Sequence, residues 1–294
     1  MKRELLQILG EENVKFLEPL KNHCTFRIGG EAGVFATPTN FTDLFELLRI
    51  AKSYGKSCKI IGNASNLLFN DTGYDGVVVC TKKINSFCKV DSTRIIASAG
   101  MMLSQLQKVA MQEGLAGLEF ASGIPATVGG AICMNAGAFG GEISNLLRSV
   151  TFFDNGKVIT KKASEIFFGY RNSEFLKTEK IILFAEFEFE KGNSASILAK
   201  ANEYLKVRAN TQPKGFSAGS VFKRAENISA GKLIDEAGLK GKKENGAMVS
   251  DIHANFIINF DNASQKDVMT LINQIQATVY EVYGVTLEPE IEFV

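Results

Sequence analysis

The sequence GLEFASGIPATVGGAICMNAGAFGGE, residues 117–142, contains seven glycines and one proline, and its only charged residues are two glutamates. Glycine is unfavourable in helix interiors and central strands, so neither element is expected here. Backbone without Cβ atoms lets another group come close. The stretch is therefore predicted to be a closely folded loop whose N–H groups face a flat ring or a pyrophosphate. A buried turn between two elements is the alternative.

A second candidate loop, GNASNLL, covers residues 62–68 and follows a short strand predicted at 58–61. Gly62 permits a tight turn, and Asn63, Ser65 and Asn66 place short polar side chains beside backbone N–H groups. Such loops suit phosphate groups. An ordinary polar turn is the alternative for this motif alone.

Composition excludes several classes of protein. The 294 residues suggest about two domains. The net charge of +1 and the absence of a basic block give no sign of a nucleic-acid partner. Five cysteines without C-x-x-C spacing predict neither a disulfide framework nor a metal site, and favour a reducing cytosol. No signal peptide and no apolar run of about 18 residues occurs, so no membrane segment is expected.

Local patterns predict several elements. Residues 1–16 are expected to form an amphipathic helix, and Asn40 or Thr42 to cap the next one. Asp154-Asn155-Gly156 between two apolar runs predicts a β-hairpin. Ser264 followed by Asp267 predicts the start of a further helix. A domain boundary is placed near residue 205.

Known nucleotide and nucleophile motifs are missing. Neither G-x-G-x-x-G after a strand nor G-x-x-x-x-G-K-[ST] occurs, so a Rossmann or P-loop site is not supported. The two histidines, His23 and His253, lie outside recognised nucleophile motifs and are interpreted as structural.

Six separated stretches carry a family resemblance: residues 62–68, 117–142, 170–173 (YRNS), 218–223 (AGSVFK), 231–241 (GKLIDEAGLKG) and 287–291 (LEPEI). In this order they resemble the UDP-N-acetylenolpyruvoylglucosamine reductases, over nearly the whole chain from His23 onward. The short tail and the lack of a long insertion between Gly238 and Asn255 resemble the second, shorter type of that family.

The resemblance implies an α+β fold. It consists of an FAD-binding domain of the vanillyl-alcohol-oxidase (PCMH) type in two subdomains, and a C-terminal α+β substrate-binding domain. The expected boundaries are 1–80 with the C-terminal strand 286–294 for the first subdomain, 81–204 for the second, and 205–285 for the substrate-binding domain.

The implied reaction is the reduction of UDP-N-acetylglucosamine enolpyruvate to UDP-N-acetylmuramate in peptidoglycan precursor synthesis. NADPH reduces noncovalent FAD, and the flavin delivers hydride to the enolpyruvyl carbon. A cytoplasmic enzyme with no nucleic-acid, membrane or metal partner is expected. The sequence leaves the oligomeric state open, and a monomer is the first expectation.

Three residues are implied to be catalytic. Arg171 would face the substrate carboxylate, Glu290 would donate to the same carboxylate, and Ser220 would deliver the proton, with help from a neighbouring charge such as that of Lys223. The residues expected to bind FAD are Gly62, Asn63, Ala64, Ser65, Asn66, Leu67, Gly123, Ile124, Thr127, Gly129, Gly130, Asn135, Gly137 and Arg208. Those expected to bind substrate are Phe139, Tyr170, Lys214, Lys223 and Arg224.

The chain departs from the family pattern at several positions. Ala64 and Ala126 stand where the family usually has glycine, and alanine is expected to be tolerable there only if both residues have negative φ. Phe139 stands where many relatives have tyrosine. Asn210-Thr211 replaces a basic pair.

Two other functions remain open from sequence. One is a flavin oxidase of the same fold acting on a different substrate. The other is a nucleotide-binding module without catalysis. Taken singly, Arg171 would be a surface arginine, Ser220 a turn residue and Glu290 a solvated charge.

Overall fold

The computed structural model describes residues 1–225 and 228–294. Helices and strands are interspersed, in agreement with the predicted α+β class. The α-helices are α1 (Lys2–Leu9), α2 (Phe41–Ser53), α3 (Leu103–Gln112), α4 (Val128–Cys133), α5 (Ser194–Thr211), α6 (Ala230–Glu236) and α7 (Gln265–Tyr283).

The strands are short on the whole. They are β1 (Val14–Pro19), β2 (Glu31–Ala36), β3 (Cys58–Ile61), β4 (Leu67–Leu68), β5 (Tyr74–Cys80), β6 (Phe87–Lys89), β7 (Arg94–Ser98), β8 (Leu115–Ala116), β9 (Gly137–Ala138), β10 (Gly141–Glu142), β11 (Leu147–Asp154), β12 (Lys157–Lys162), β13 (Phe168–Gly169), β14 (Asn172–Ser173), β15 (Ile181–Glu188), β16 (Glu190–Lys191), β17 (Lys243–Glu244), β18 (Ala247–Val249), β19 (Ile257–Asn259) and β20 (Glu292–Phe293).

The chain divides into two compact units. The first comprises Met1–Lys15, Phe35–Asn63 and Val78–Arg208; the second comprises Phe16–Val34, Ala64–Val77 and Ala209–Val294. The divisions fall inside three strands, β1, β2 and β5, and inside α5.

The first unit contains an antiparallel five-stranded sheet in the order β12-β11-β15-β7-β6. Its core is made of buried apolar side chains from the sheet, from α3 and from α4, including Ile95, Leu106, Ile132, Val150 and Phe187. Burial of this apolar surface is the main stabilising contribution to the unit. α4 lies in this core and starts within the glycine-rich stretch.

The second unit contains a three-stranded antiparallel sheet, β17-β18-β19, and the long helix α7. The unit also contains a parallel pairing, with Glu292 of β20 opposite Leu67 of β4 and Phe293 opposite Leu68. Ser264 caps α7, and its reciprocal bonds with Asp267 form the predicted capping box.

Two expectations about element bounds are wrong. The N-terminal helix ends at Leu9 rather than near residue 16, because Gly10 leaves helical geometry with φ of 81°. The glycine-rich stretch does contain a helix, α4. Gly129 lies in it because a Cβ there would come within 2.9 Å of the Ala99 Cβ, so only glycine allows this approach.

Candidate functional site

The two predicted FAD loops meet in the first unit. A Cβ on Gly62 would lie 2.1 Å from Thr127 Oγ1, so glycine is required where the loops touch. Asn63 Nδ2 donates a hydrogen bond to the Pro125 carbonyl at 2.8 Å. The strand-to-loop turn after β3 therefore lies directly against residues 125–127 of the glycine-rich stretch.

Lys82 brings a positive charge to this contact. Its Nζ donates to Asn63 Oδ1 at 3.1 Å, so the ammonium group lies beside the predicted phosphate loop. Sequence reasoning did not identify Lys82, because it lies in no motif and follows β5 rather than β3. A cation beside small-residue loops is suited to a dinucleotide phosphate.

Within α4, two glycine N–H groups are already bonded. The Gly129 N–H donates to the Ala99 carbonyl at 2.8 Å, and the Gly130 N–H donates to Thr127 Oγ1 at 3.3 Å. Thr127 is the N-cap of the helix and is buried. Packing and backbone hydrogen bonds within the protein therefore account for these two glycines, in addition to any role with a ligand.

Arg171 lies beside a tight hairpin of the glycine-rich stretch. Its Nη2 donates to the Gly137 carbonyl at 2.8 Å, and its guanidinium carbon lies 5.1 Å from the centre of the Tyr170 ring. Gly137 begins β9, which pairs with β10. The fork of Arg171 is therefore held by backbone.

Arg208 lies near Arg171. Burial lowers the pKa of the Arg208 guanidinium, and the charge of Arg171 lowers it further. A Cβ on Gly123 would lie 2.9 Å from Arg208 Cδ. The structure thus collects two arginines against two glycines of the stretch, an arrangement suited to an anion.

An aromatic pair borders the same hairpin. The rings of Phe139 and Tyr204 are stacked, with centroids 4.1 Å apart and an interplanar angle of 3°. The Arg208 guanidinium carbon lies 5.7 Å from the centre of the Phe139 ring. Tyr204 was not identified from sequence. The signal that could have found it is the spacing of four between Lys200, Tyr204 and Arg208 on one helix.

Asn135 is buried and supports the local fold. Its Nδ2 donates to the Gly169 carbonyl at 3.1 Å, and its Oδ1 accepts from the Ser144 N–H at 3.2 Å. Ile124 is also tied to its own chain, since its N–H donates to the Ala121 carbonyl at 2.9 Å.

In the second unit, the segments that carry Ser220 and Glu290 are paired through their backbones. The Glu290 N–H donates to the Val221 carbonyl at 2.7 Å, and Phe222 forms a bridge with Pro289. Gly219, with φ of 78°, makes the turn before Ser220. Two motifs distant in sequence are therefore neighbours.

The remainder of the 62–68 loop belongs to this second unit. Asn66 Nδ2 donates to the Glu290 carbonyl at 3.0 Å. Ser65 precedes it in a turn, and Leu67 pairs with Glu292 across β4 and β20.

Ala64 differs from the sequence expectation, because its φ is 47°. The expected requirement for negative φ is wrong for Ala64, whereas Ala126 does not have a positive φ. The loop geometry is left-handed at residue 64, as it would be with glycine, and the alanine side chain is accommodated in a buried position.

The predicted basic residues of the second unit differ in their surroundings. Lys223 Nζ donates to Glu288 Oε1 at 2.6 Å, and this ion pair partly compensates its charge. Lys214 and Arg224 are exposed.

Residues 1–225 and 228–294 contain no group of three or more histidine, cysteine, aspartate or glutamate side chains that could bind a metal. None of their helices is long and apolar enough to cross a bilayer.

Two family models match the chain. One, described as the C-terminal domain of UDP-N-acetylenolpyruvoylglucosamine reductase, matches residues 212–294, and the other, described as an FAD binding domain, matches residues 32–161. The sequence expectation of an FAD-binding domain followed by a C-terminal domain is confirmed.

Two similar proteins align with this chain over nearly their full length. The chain is 44% identical to a UDP-N-acetylenolpyruvoylglucosamine reductase of Caldicellulosiruptor bescii, covering 99% of this chain and 94% of that protein. It is 42% identical to the enzyme of that name from Clostridioides difficile, covering 98% and 95%.

Solved structures agree with these matches. The crystal structure of UDP-N-acetylenolpyruvylglucosamine reductase (MurB) from Thermus caldophilus aligns with a TM-score of 0.81 at 34% identity, over 95% of this chain and 97% of that one. Alkyldihydroxyacetonephosphate synthase aligns with a TM-score of 0.52 at 15% identity, over 65% of this chain and 40% of the other, which shows shared fold alone.

Proposed function

Because the chain belongs to the UDP-N-acetylenolpyruvoylglucosamine reductase family, we propose that it reduces UDP-N-acetylglucosamine enolpyruvate to UDP-N-acetylmuramate with NADPH and FAD. The observation that carries the residue assignment is the hydrogen bond between Glu290 and Val221, which makes Glu290 a neighbour of Ser220. This reaction supplies one intermediate of peptidoglycan synthesis.

FAD fits the first unit by its chemistry. Gly62 and Gly123 pack without a Cβ against Thr127 and Arg208, and Lys82 and Arg208 offer positive charge beside small-residue backbone. We assign these residues and the loops around them to the cofactor. When bound, FAD supplies the hydride that NADPH provides.

Arg171 is assigned to the substrate carboxylate. Its charge is permanent and its fork can bind both carboxylate oxygens, so it stabilises negative charge that develops there during reduction. The Gly137 carbonyl takes one of its donors and orients the rest.

Ser220 is assigned as the proton donor and Glu290 as a further donor to the carboxylate. The Ser220 Oγ holds the proton that passes to the carbon neighbouring the site of hydride addition. A serine is a weak acid, and Lys223 is engaged by Glu288, so the charge expected to assist Ser220 is partly compensated.

Residues 205–285 are proposed as the substrate-binding domain, residues 1–80 with 286–294 as the first FAD subdomain, and residues 81–204 as the second. The enzyme is further proposed to be a cytoplasmic monomer. Free cysteines at all five positions support a reducing compartment. Light scattering that gave a mass above one chain would contradict the monomer.

A spectroscopic experiment tests the function. The purified protein should show flavin absorbance bands, NADPH should bleach them without oxygen, and UDP-N-acetylglucosamine enolpyruvate should restore them with formation of UDP-N-acetylmuramate. Reoxidation by O₂ alone, with none by this substrate, would favour a flavin oxidase. A protein that could not be reconstituted with FAD would contradict both enzyme functions.

A further inference from the structure

The hairpin formed by β9, Phe139, Gly140 and β10, here called the 137–142 hairpin, has an unusual turn. Phe139 has φ of 50° and Gly140 has φ of 82°, as in a type I′ turn. Such turns favour asparagine or aspartate at the first position. For a phenylalanine the left-handed conformation brings the Cβ too close to the following carbonyl oxygen, so the turn needs support from outside the hairpin.

Tyr204 of α5 provides that support. Its ring lies parallel to the Phe139 ring at 4.1 Å, although Phe139 remains 40% exposed. Aromatic pairs stabilise a structure beyond the area that they bury, so the stack can offset the cost of the turn. Arg208, one helical turn further along α5, lies over the Phe139 ring.

The hairpin in turn sets the position of Arg171. The Gly137 carbonyl accepts from Arg171 Nη2 at 2.8 Å. A Cβ on Gly137 would lie 2.7 Å from the Gly141 carbonyl oxygen and 3.4 Å from Arg171 Nη1. Because so little free space remains, a shift of β9 would also move the Gly137 carbonyl that accepts the hydrogen bond of Arg171.

We infer that Tyr204 is a positioning residue for Arg171, because its stack on Phe139 holds the strained 137–142 hairpin whose Gly137 carbonyl orients the guanidinium. The inference rests on the proposed role of Arg171 in binding the substrate carboxylate. It concerns the substrate half-reaction and not the reduction of flavin by NADPH.

The first test compares three variants by stopped-flow absorbance. Tyr204→Ala should slow reoxidation of the reduced flavin by substrate about 10²-fold, the loss typical of a misplacement near 1 Å, and should leave reduction by NADPH unchanged. Tyr204→Phe keeps the ring and should stay close to wild type. Leu198→Ala, at an exposed site on the same helix, is the matched control.

The second test removes the need for support. Asparagine accommodates positive φ, so in a Phe139→Asn parent the hairpin no longer depends on Tyr204. Adding Tyr204→Ala to this parent should slow the substrate step far less than it slows wild type. The rate of hydrogen exchange of residues 137–142 should rise in Tyr204→Ala and fall back to the parent rate in the double variant. This measurement reports on the hairpin independently of catalysis.

The outcomes separate the inference from the proposed function. Equal slowing by Tyr204→Ala in both backgrounds would overturn the inference, and so would unchanged hairpin exchange in the single variant. If Arg171→Lys slows the substrate step while Tyr204→Ala does not, the inference is wrong and the role of Arg171 stands. If Arg171→Lys has no effect, the proposed role fails and the inference falls with it.

Discussion

At the scale of single residues, four predicted site residues other than glycine have a left-handed backbone: Ala64, Asn135, Phe139 and Arg171. Asparagine tolerates this conformation through its short polar side chain, but the other three residues do not. Such strain costs about 1–3 kcal/mol each and is found mostly at functional sites, where the surroundings hold it in place. Leu17, Arg27 and Lys177 share this conformation outside the predicted site, so a left-handed backbone does not by itself identify the site residues.

A pair of alanines tests this strain. Ala64→Gly and Ala126→Gly each remove one methyl group and add chain entropy, but only residue 64 has a positive φ. The free energy of unfolding should therefore be higher for Ala64→Gly than for Ala126→Gly, by about 1–2 kcal/mol. Urea denaturation of the two variants measures the difference, and equal losses would contradict the strain at Ala64.

At the scale of elements, local signals were sufficient wherever neighbours in sequence decide the structure. Asn40 caps α2 by accepting from the Asp43 N–H, as predicted. The Asp154-Asn155-Gly156 turn joins β11 to β12, with positive φ at both Asn155 and Gly156. These signals act within a few residues, so they can be interpreted without knowledge of the tertiary fold.

Helix α4 could not be predicted in the same way. Its two glycines lower helix propensity, and the reason for Gly129 is contact with Ala99, far away in sequence. Tyr204 and Lys82 could not be identified from sequence for a similar reason. Each contacts a site residue from another element, Tyr204 contacting Phe139 and Lys82 contacting Asn63. Tertiary contacts decide all three cases.

The two glycines of α4 give a matched experiment. Gly129→Ala places a Cβ 2.9 Å from the Ala99 Cβ, and overpacking of this kind should lower the free energy of unfolding by about 1–3 kcal/mol. Gly130→Ala meets only Thr127 Oγ1 at 3.4 Å and gains helix propensity, so stability should be kept or raised by up to about 1 kcal/mol. Thermal unfolding compares them, and similar losses at both positions would refute the packing argument.

At the scale of the whole molecule, the proposed catalytic residues are distributed between the two units. Arg171 lies in the first, whereas Ser220 and Glu290 lie in the second. The sequence supplied their identities through a family resemblance. The contact between the backbones of Val221 and Glu290 required the structure, because no spacing rule links these two segments. The paired state of Lys223 with Glu288 likewise depends on tertiary structure.

The two half-reactions allow the role of Ser220 to be separated from that of the cofactor site. Ser220→Ala leaves the FAD loops unchanged, so NADPH should reduce the flavin at the wild-type rate. The substrate half-reaction should slow about 10²–10⁴-fold, the effect typical of losing a general acid. Ser220→Cys should be partly active, because a thiol also carries a proton.

Stopped-flow absorbance of the flavin follows each half separately. Ser217→Ala is the matched control, since Ser217 lies in the same loop and contacts Thr25 through its backbone carbonyl rather than its hydroxyl. Equal slowing of both halves by Ser220→Ala would mean that Ser220 shapes a shared site. A substrate half-reaction at the wild-type rate would mean that water or another group delivers the proton, and the assignment of Ser220 would be wrong.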